Sequence, residues 1–132
     1  MNKFCGALAA VLLVPTSSLA KPTISDAMEC KAEFSSIVTV VQAARIPKNI
    51  DVQAVNFWIS ANDEFSRHFR ELSDDDIDGS GDLKSAEFQD ELEETKKVKI
   101  KSYSKVLKDS GYDRFNEMAL EKTSDCKTLF GL

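Results

Sequence analysis

The chain has 132 residues, 42% hydrophobic and 30% charged, with a formal net charge of −5. That length provides for one small domain with one modest core. The acidic balance argues against nucleic acid and against anionic membrane surfaces as partners.

The first twenty residues read as a cleavable leader. Lys3 supplies a positive start, residues 4–14 form an unbroken run of apolar and small side chains, and Ser18-Leu19-Ala20 is a small-x-small cleavage signal. The expected cut falls between Ala20 and Lys21. The run is too short to span a bilayer, and Cys5 lies at its head, which does not suit a lipid anchor. The sequence therefore predicts an exported protein, periplasmic or secreted, with no membrane span and a single domain over 21–132. Removal of Lys3 with the leader makes that domain slightly more acidic than the whole chain.

Export also bears on the cysteines. Without Cys5, Cys30 and Cys126 remain as an even pair bound for an oxidising compartment. A disulfide between them would close a loop of roughly 100 residues, about 4–5 kcal/mol in the chain-entropy treatment. No C-x-x-C spacing is present, and His68 is the one histidine, so the alternatives of metal ligands or a redox couple have little to recruit.

Helical periodicity dominates the remainder. Thr23, Ser25 and Asp26 are cap-type residues ahead of Ala27, Phe34, Ile37, Val38 and Val41 at three- and four-residue spacing. Pro47 ends or follows that helix. Asp51 can cap a second, whose apolar stripe (Ala54, Phe57, Trp58, Ala61, Phe65, Phe69, Leu72) continues to about Ser73. Phe88, Leu92, Ile100, Tyr103 and Leu107 mark a third, and Ser110-Gly111 is a stop. A fourth from about Tyr112 carries Phe115, Met118, Ala119, Cys126 and Leu129. The fold class expected is all-α, a small array of about four helices with mostly antiparallel neighbours, its first and last helices joined through Cys30 and Cys126.

Between the second and third helices lies the one stretch with specific chemistry. Counting Asp76 as position 1, residues 76–87 place oxygen-bearing side chains at 1 (Asp76), 3 (Asp78), 5 (Ser80) and 12 (Glu87). Gly81 falls at position 6, where a sharp bend needs a residue without Cβ. Ca²⁺ takes six to eight oxygens in irregular geometry, and alternate side chains of a curling loop can all aim inward. Beginning at Asp74 instead would put Ser85 at position 12 and lose a bidentate carboxylate. The stretch from Asp76 to Phe88 resembles the EF-hand calcium-binding family, and the resemblance extends to the flanking helices at about 60–95. It implies a helix-loop-helix that binds Ca²⁺ through Asp76, Asp78, Ser80, the backbone carbonyl of Asp82 and Glu87, with Leu83 facing a neighbouring loop or the core.

The sequence departs from the family pattern at several points. Ser80 stands where Asp or Asn is usual, Lys84 brings a positive charge to position 9, and Asp75 precedes the loop where an apolar residue is common. No second loop is present: counting from Asp109 puts Arg114 at position 6 and Leu120 at position 12. A lone loop with this ligand set suggests a dissociation constant of about 10⁻⁴–10⁻³ M. It also leaves room for a homodimer through Leu83 and its symmetry mate. The plain alternative is an acidic, glycine-containing turn, since Asp, Ser and Gly favour turns without any metal and Glu87 suits a helix N-terminus.

Catalysis is not expected. No G-x-S-x-G, phosphate-cradling loop or H-E-x-x-H occurs, and His68 sits between Arg67 and Arg70 as a surface residue would. Trp58, Phe57, Phe65 and Phe69 at helical spacing read as core, and residues 96–101, rich in lysine, as a solvated face. The function expected is calcium binding, the ion acting as structural staple or weak sensor. The competing reading is a metal-independent helical interaction protein (inhibitor, chaperone or adaptor) with an acidic turn and an unidentified protein partner.

Overall fold

The computed structural model describes residues 21–45, 50–78 and 82–132. The expected leader and its cleavage site, and Ser80 with its two flanking glycines, lie outside these residues. Three helices account for most of the described chain: α1 (Ile24–Arg45), α2 (Val52–Arg70) and α3 (Ala86–Leu129), with a short 3₁₀ turn at Asp74–Asp76. Each helix begins where a short polar side chain satisfies an otherwise unpaired amide. Thr23 and Asp26 exchange bonds at the start of α1, Asp51 accepts from the Ala54 amide at 2.9 Å, and Ser85 accepts from the Phe88 amide at 3.0 Å.

The expected third and fourth helices form one element. α3 is 44 residues long, yet Gly111 within it has φ 85° and ψ 169°, far from helical values. A straight helix of that length would extend about 66 Å. Phe88, near its start, instead clusters with Ala32 of α1, and Cys126, near its end, is paired with Cys30 of α1. Both ends of α3 therefore lie beside the first half of α1, and the element doubles back at Gly111. The Ser110-Gly111 stop of the sequence is thus a reversal inside a single element.

Burial follows the predicted stripes. One cluster includes Ile37, Val41, Val55, Trp58, Phe115 and Ala119. A second includes Ala27, Phe34, Phe65, Ile77 and Phe130 around the cysteine pair, with Phe34 and Phe65 stacked at 4.5 Å between ring centroids. Cys30 and Cys126 are at disulfide-bonding distance, their Cα atoms 5.6 Å apart. Phe57 departs from its stripe and is 54% exposed. Among the described residues no helix is long and apolar enough to cross a membrane.

One polar group is buried with the core. Glu33 of α1 is 6% exposed. It accepts from the Tyr103 hydroxyl and from Lys99 Nζ, each at 2.6 Å, and Lys99 also pairs with Glu29 at 2.9 Å. Burial, then the bond to Glu33, then the charges of Glu33 and Glu29 push the Tyr103 hydroxyl well above its usual range. Burial would lower Lys99, but its bonds to Glu33 and Glu29 outweigh that and leave it raised.

Candidate functional site

The acidic turn joins α2 to α3, but α2 does not run into it directly. The helix ends at Arg70, short of the Ser73 expected from the apolar stripe. Glu71 and Leu72 close its last turn through bonds to the carbonyls of His68 and Phe69, at 3.0 and 3.2 Å. A new local structure then begins at Ser73, whose side chain competes with helical backbone bonding. Ser73 and Asp76 form a capping pair across the 3₁₀ turn. The Ser73 amide and hydroxyl donate to Asp76 Oδ2 at 2.8 and 3.1 Å, and the Asp76 amide donates to the Ser73 carbonyl at 3.0 Å. The backbone bond from Ser73, then its hydroxyl, hold the Asp76 carboxyl below the usual carboxylate range, with smaller contributions from Lys21 and His68.

Past this turn the chain alternates between core and solvent. Ile77 is buried in the Phe34–Phe65 cluster, whereas Asp78 is exposed. The Asp78 amide donates to the Pro22 carbonyl at 2.8 Å, and Thr23 and Asp78 form an isolated parallel bridge. Ser80 lies outside the described residues. Asp82 is exposed, and its Oδ1 accepts from the Lys84 amide at 2.8 Å. Its carbonyl, the ligand expected at position 7, closes a turn by accepting from the Ser85 amide at 3.1 Å. Leu83 is half-buried against two clusters of the chain's own core. Glu87 is exposed in the first turn of α3, and Phe88 beside it is buried and stacked on Phe69 at 6.2 Å.

The donor set is chemically suited to a hard cation, being composed of carboxylate, hydroxyl and carbonyl oxygen. Its described members are not gathered around one point: among the described residues no three His, Cys, Asp or Glu side chains are grouped to hold a metal ion. Asp76 and Asp82 are occupied with local backbone bonds. Ligation by this set would require the turn to tighten and Asp76 Oδ2 to give up or share its bonds from Ser73.

Sequence reasoning did not find two features. The Glu33–Tyr103–Lys99 cluster was hidden because residues 96–101 read as a solvated face. The available signal was register, since Lys99 and Tyr103 are four residues apart within the stripe of Leu92, Ile100 and Leu107, as Glu29 and Glu33 are on α1. The bond between Pro22 and Asp78 has no sequence signature; it follows from the packing of α1 against the turn. Compared with family models, with curated proteins and with solved structures, the chain finds no match.

Proposed function

We propose that this is an exported, non-catalytic calcium-binding protein whose ion, held by Asp76, Asp78, Ser80, the Asp82 carbonyl and Glu87, fixes the connection between α2 and α3. The observation that carries the reading is the spacing of oxygen donors at positions 1, 3, 5 and 12 around a glycine at 6, in a turn between two helices. The sorting of the turn supports it. Ile77, Leu83 and Phe88 pack inward, while Asp76, Asp78, Asp82 and Glu87 face solvent. A turn anchored at its apolar positions and free at its acidic ones can tighten around a cation without disturbing the core. The ion would also relieve repulsion among carboxylates crowded into a short segment.

The engagement of Asp76 by Ser73 and the ungrouped carboxylates favour a second reading, in which the turn is complete without metal and the helical surface serves a protein partner. Thermal unfolding of the oxidised chain in chelator, in millimolar Mg²⁺ and across a Ca²⁺ titration separates the two. With a dissociation constant of about 10⁻⁴–10⁻³ M, 10 mM Ca²⁺ should add about 1.4–2.7 kcal/mol. Mg²⁺ should add much less, and Glu87→Gln should abolish the calcium-dependent part. A melting temperature indifferent to Ca²⁺ would leave the second reading standing.

A further inference from the structure

Asp78 is where the turn is tied to a distant part of the chain. Its amide donates to the Pro22 carbonyl at 2.8 Å, and the bond leaves the exposed Asp78 side chain on the solvent side. The other end of the tie is firmly held. The Thr23 amide donates to Asp26 Oδ2 at 2.9 Å, the Asp26 amide to Thr23 Oγ1 at 3.0 Å, and the Ala27 amide to the Thr23 carbonyl at 3.0 Å. Ala27 is fully buried, and Cys30, one turn further on, is paired with Cys126. Residues 21–23 are thus an extended brace, fixed by the cap of α1 and laid along the acidic turn.

We propose that residues 21–23 are a positioning element of the calcium loop, the Pro22 carbonyl holding the backbone of Asp78 so that its carboxylate is presented to the ion, and that trimming of the N-terminus therefore sets the strength of the site. The inference rests on the calcium reading above. Binding must otherwise meet the entropy of ordering a glycine-containing loop, and a bond that fixes its third position in advance removes part of that cost. A cut between Ala20 and Lys21 keeps the acceptor. Loss of two further residues removes it while leaving Thr23 to cap α1. Lys21 itself opposes the ion, because its charge acts on Asp76. Charge and backbone effects of shortening the chain therefore have opposite signs.

The experiment compares calcium titrations, followed by amide chemical shifts, for the chain begun at Lys21, its Lys21→Ala variant, and the chain begun at Thr23. Glu87→Gln serves as the non-binding control. Loss of one backbone hydrogen bond should weaken binding about three- to tenfold in the chain begun at Thr23, while Lys21→Ala binds as tightly as the parent or more so. Equal affinity for the parent and the chain begun at Thr23 overturns the brace and leaves calcium binding intact. So does a loss in Lys21→Ala that matches the loss on shortening. Failure of the parent to bind Ca²⁺ refutes the proposed function and the brace with it. Should the chain begun at Thr23 fail to fold, hydrogen exchange of the Asp78 amide in the parent decides the matter. Exchange that slows as Ca²⁺ is added supports the brace, and exchange indifferent to Ca²⁺ overturns it.

Discussion

Tyr103→Phe isolates the buried polar cluster, because it removes one hydroxyl and keeps the ring that packs edge-on against Phe115 at 6.5 Å. Both Glu33 oxygens are 2.6 Å from that hydroxyl, but one proton supplies both contacts, so a single shared bond is lost. Bonds to a charged acceptor contribute about 1.5–3 kcal/mol. Lys99 remains on Glu33 in the variant, and the cost should stay within that range, lowering the melting temperature by about 6–12 °C in a domain of this size. Glu33→Met combined with Tyr103→Phe should cost less than the two singles added, since an apolar pair leaves no carboxylate stranded. The pH dependence gives an independent check. Tyr103 is raised in the folded state, so the unfolded chain loses its phenolic proton first, near pH 10. The contribution is fully present below that pH and is lost as pH rises further. Lys99 and Tyr112, also raised, act in the same direction and persist in the variant. Urea unfolding of both proteins from pH 7 to 11.5 should show the wild type losing stability more steeply above pH 10, by up to about 1.4 kcal/mol per unit. A cost below about 0.5 kcal/mol, or identical alkaline slopes, would refute the assignment of Tyr103 as the donor that holds Glu33.

Reducing the Cys30–Cys126 pair, or replacing both cysteines by alanine, should cost about 2–5 kcal/mol, read from the shift of the urea midpoint with and without reductant. A smaller loss would mean that the ends of α1 and α3 are already held by the Phe34–Phe65–Phe130 packing. Gly111→Ala should cost about 1–3 kcal/mol, because φ 85° with ψ 169° lies in a region open almost only to glycine. A Cβ there meets nothing within 4 Å, so the penalty is one of backbone conformation. An equally stable alanine variant in chemical denaturation would show that the reversal can be made another way.

What the sequence disclosed depended on the range of the interaction that determines each feature. Caps are local: the side chain of Asp51 meets an amide three residues away, and the starts of the helices were legible to within a residue or two. Apolar stripes are nearly as local, and Trp58, Phe65 and Phe115 are buried as their spacing implied. Phe57 is exposed on the same helix because burial also depends on which neighbour covers a face, and periodicity carries no information about neighbours. Chain reversal at Gly111 shows the intermediate case. The glycine announced a break, but only the placement of Phe88 and Cys126 against α1 shows the chain turning back there. Lys99 is the instructive failure. Surrounded in sequence by lysine, it looked solvated, yet helical register turns it toward α1, where Glu29 and Glu33 make its burial tolerable. The calcium loop stands at the other extreme, since its chemistry is written in contiguous residues while its geometry is not. Oxygen donors spaced for an ion can be read from residues 76–87. Whether Asp76 serves the ion or Ser73 depends on a competition between a cation in solution and two hydrogen bonds on an exposed carboxylate. Exposed bonds of this kind contribute little net stability because water replaces them at small cost. That makes the Ser73 cap a weak obstacle, and it places the larger share of the binding cost in ordering the loop, where a fixed Asp78 backbone would count most.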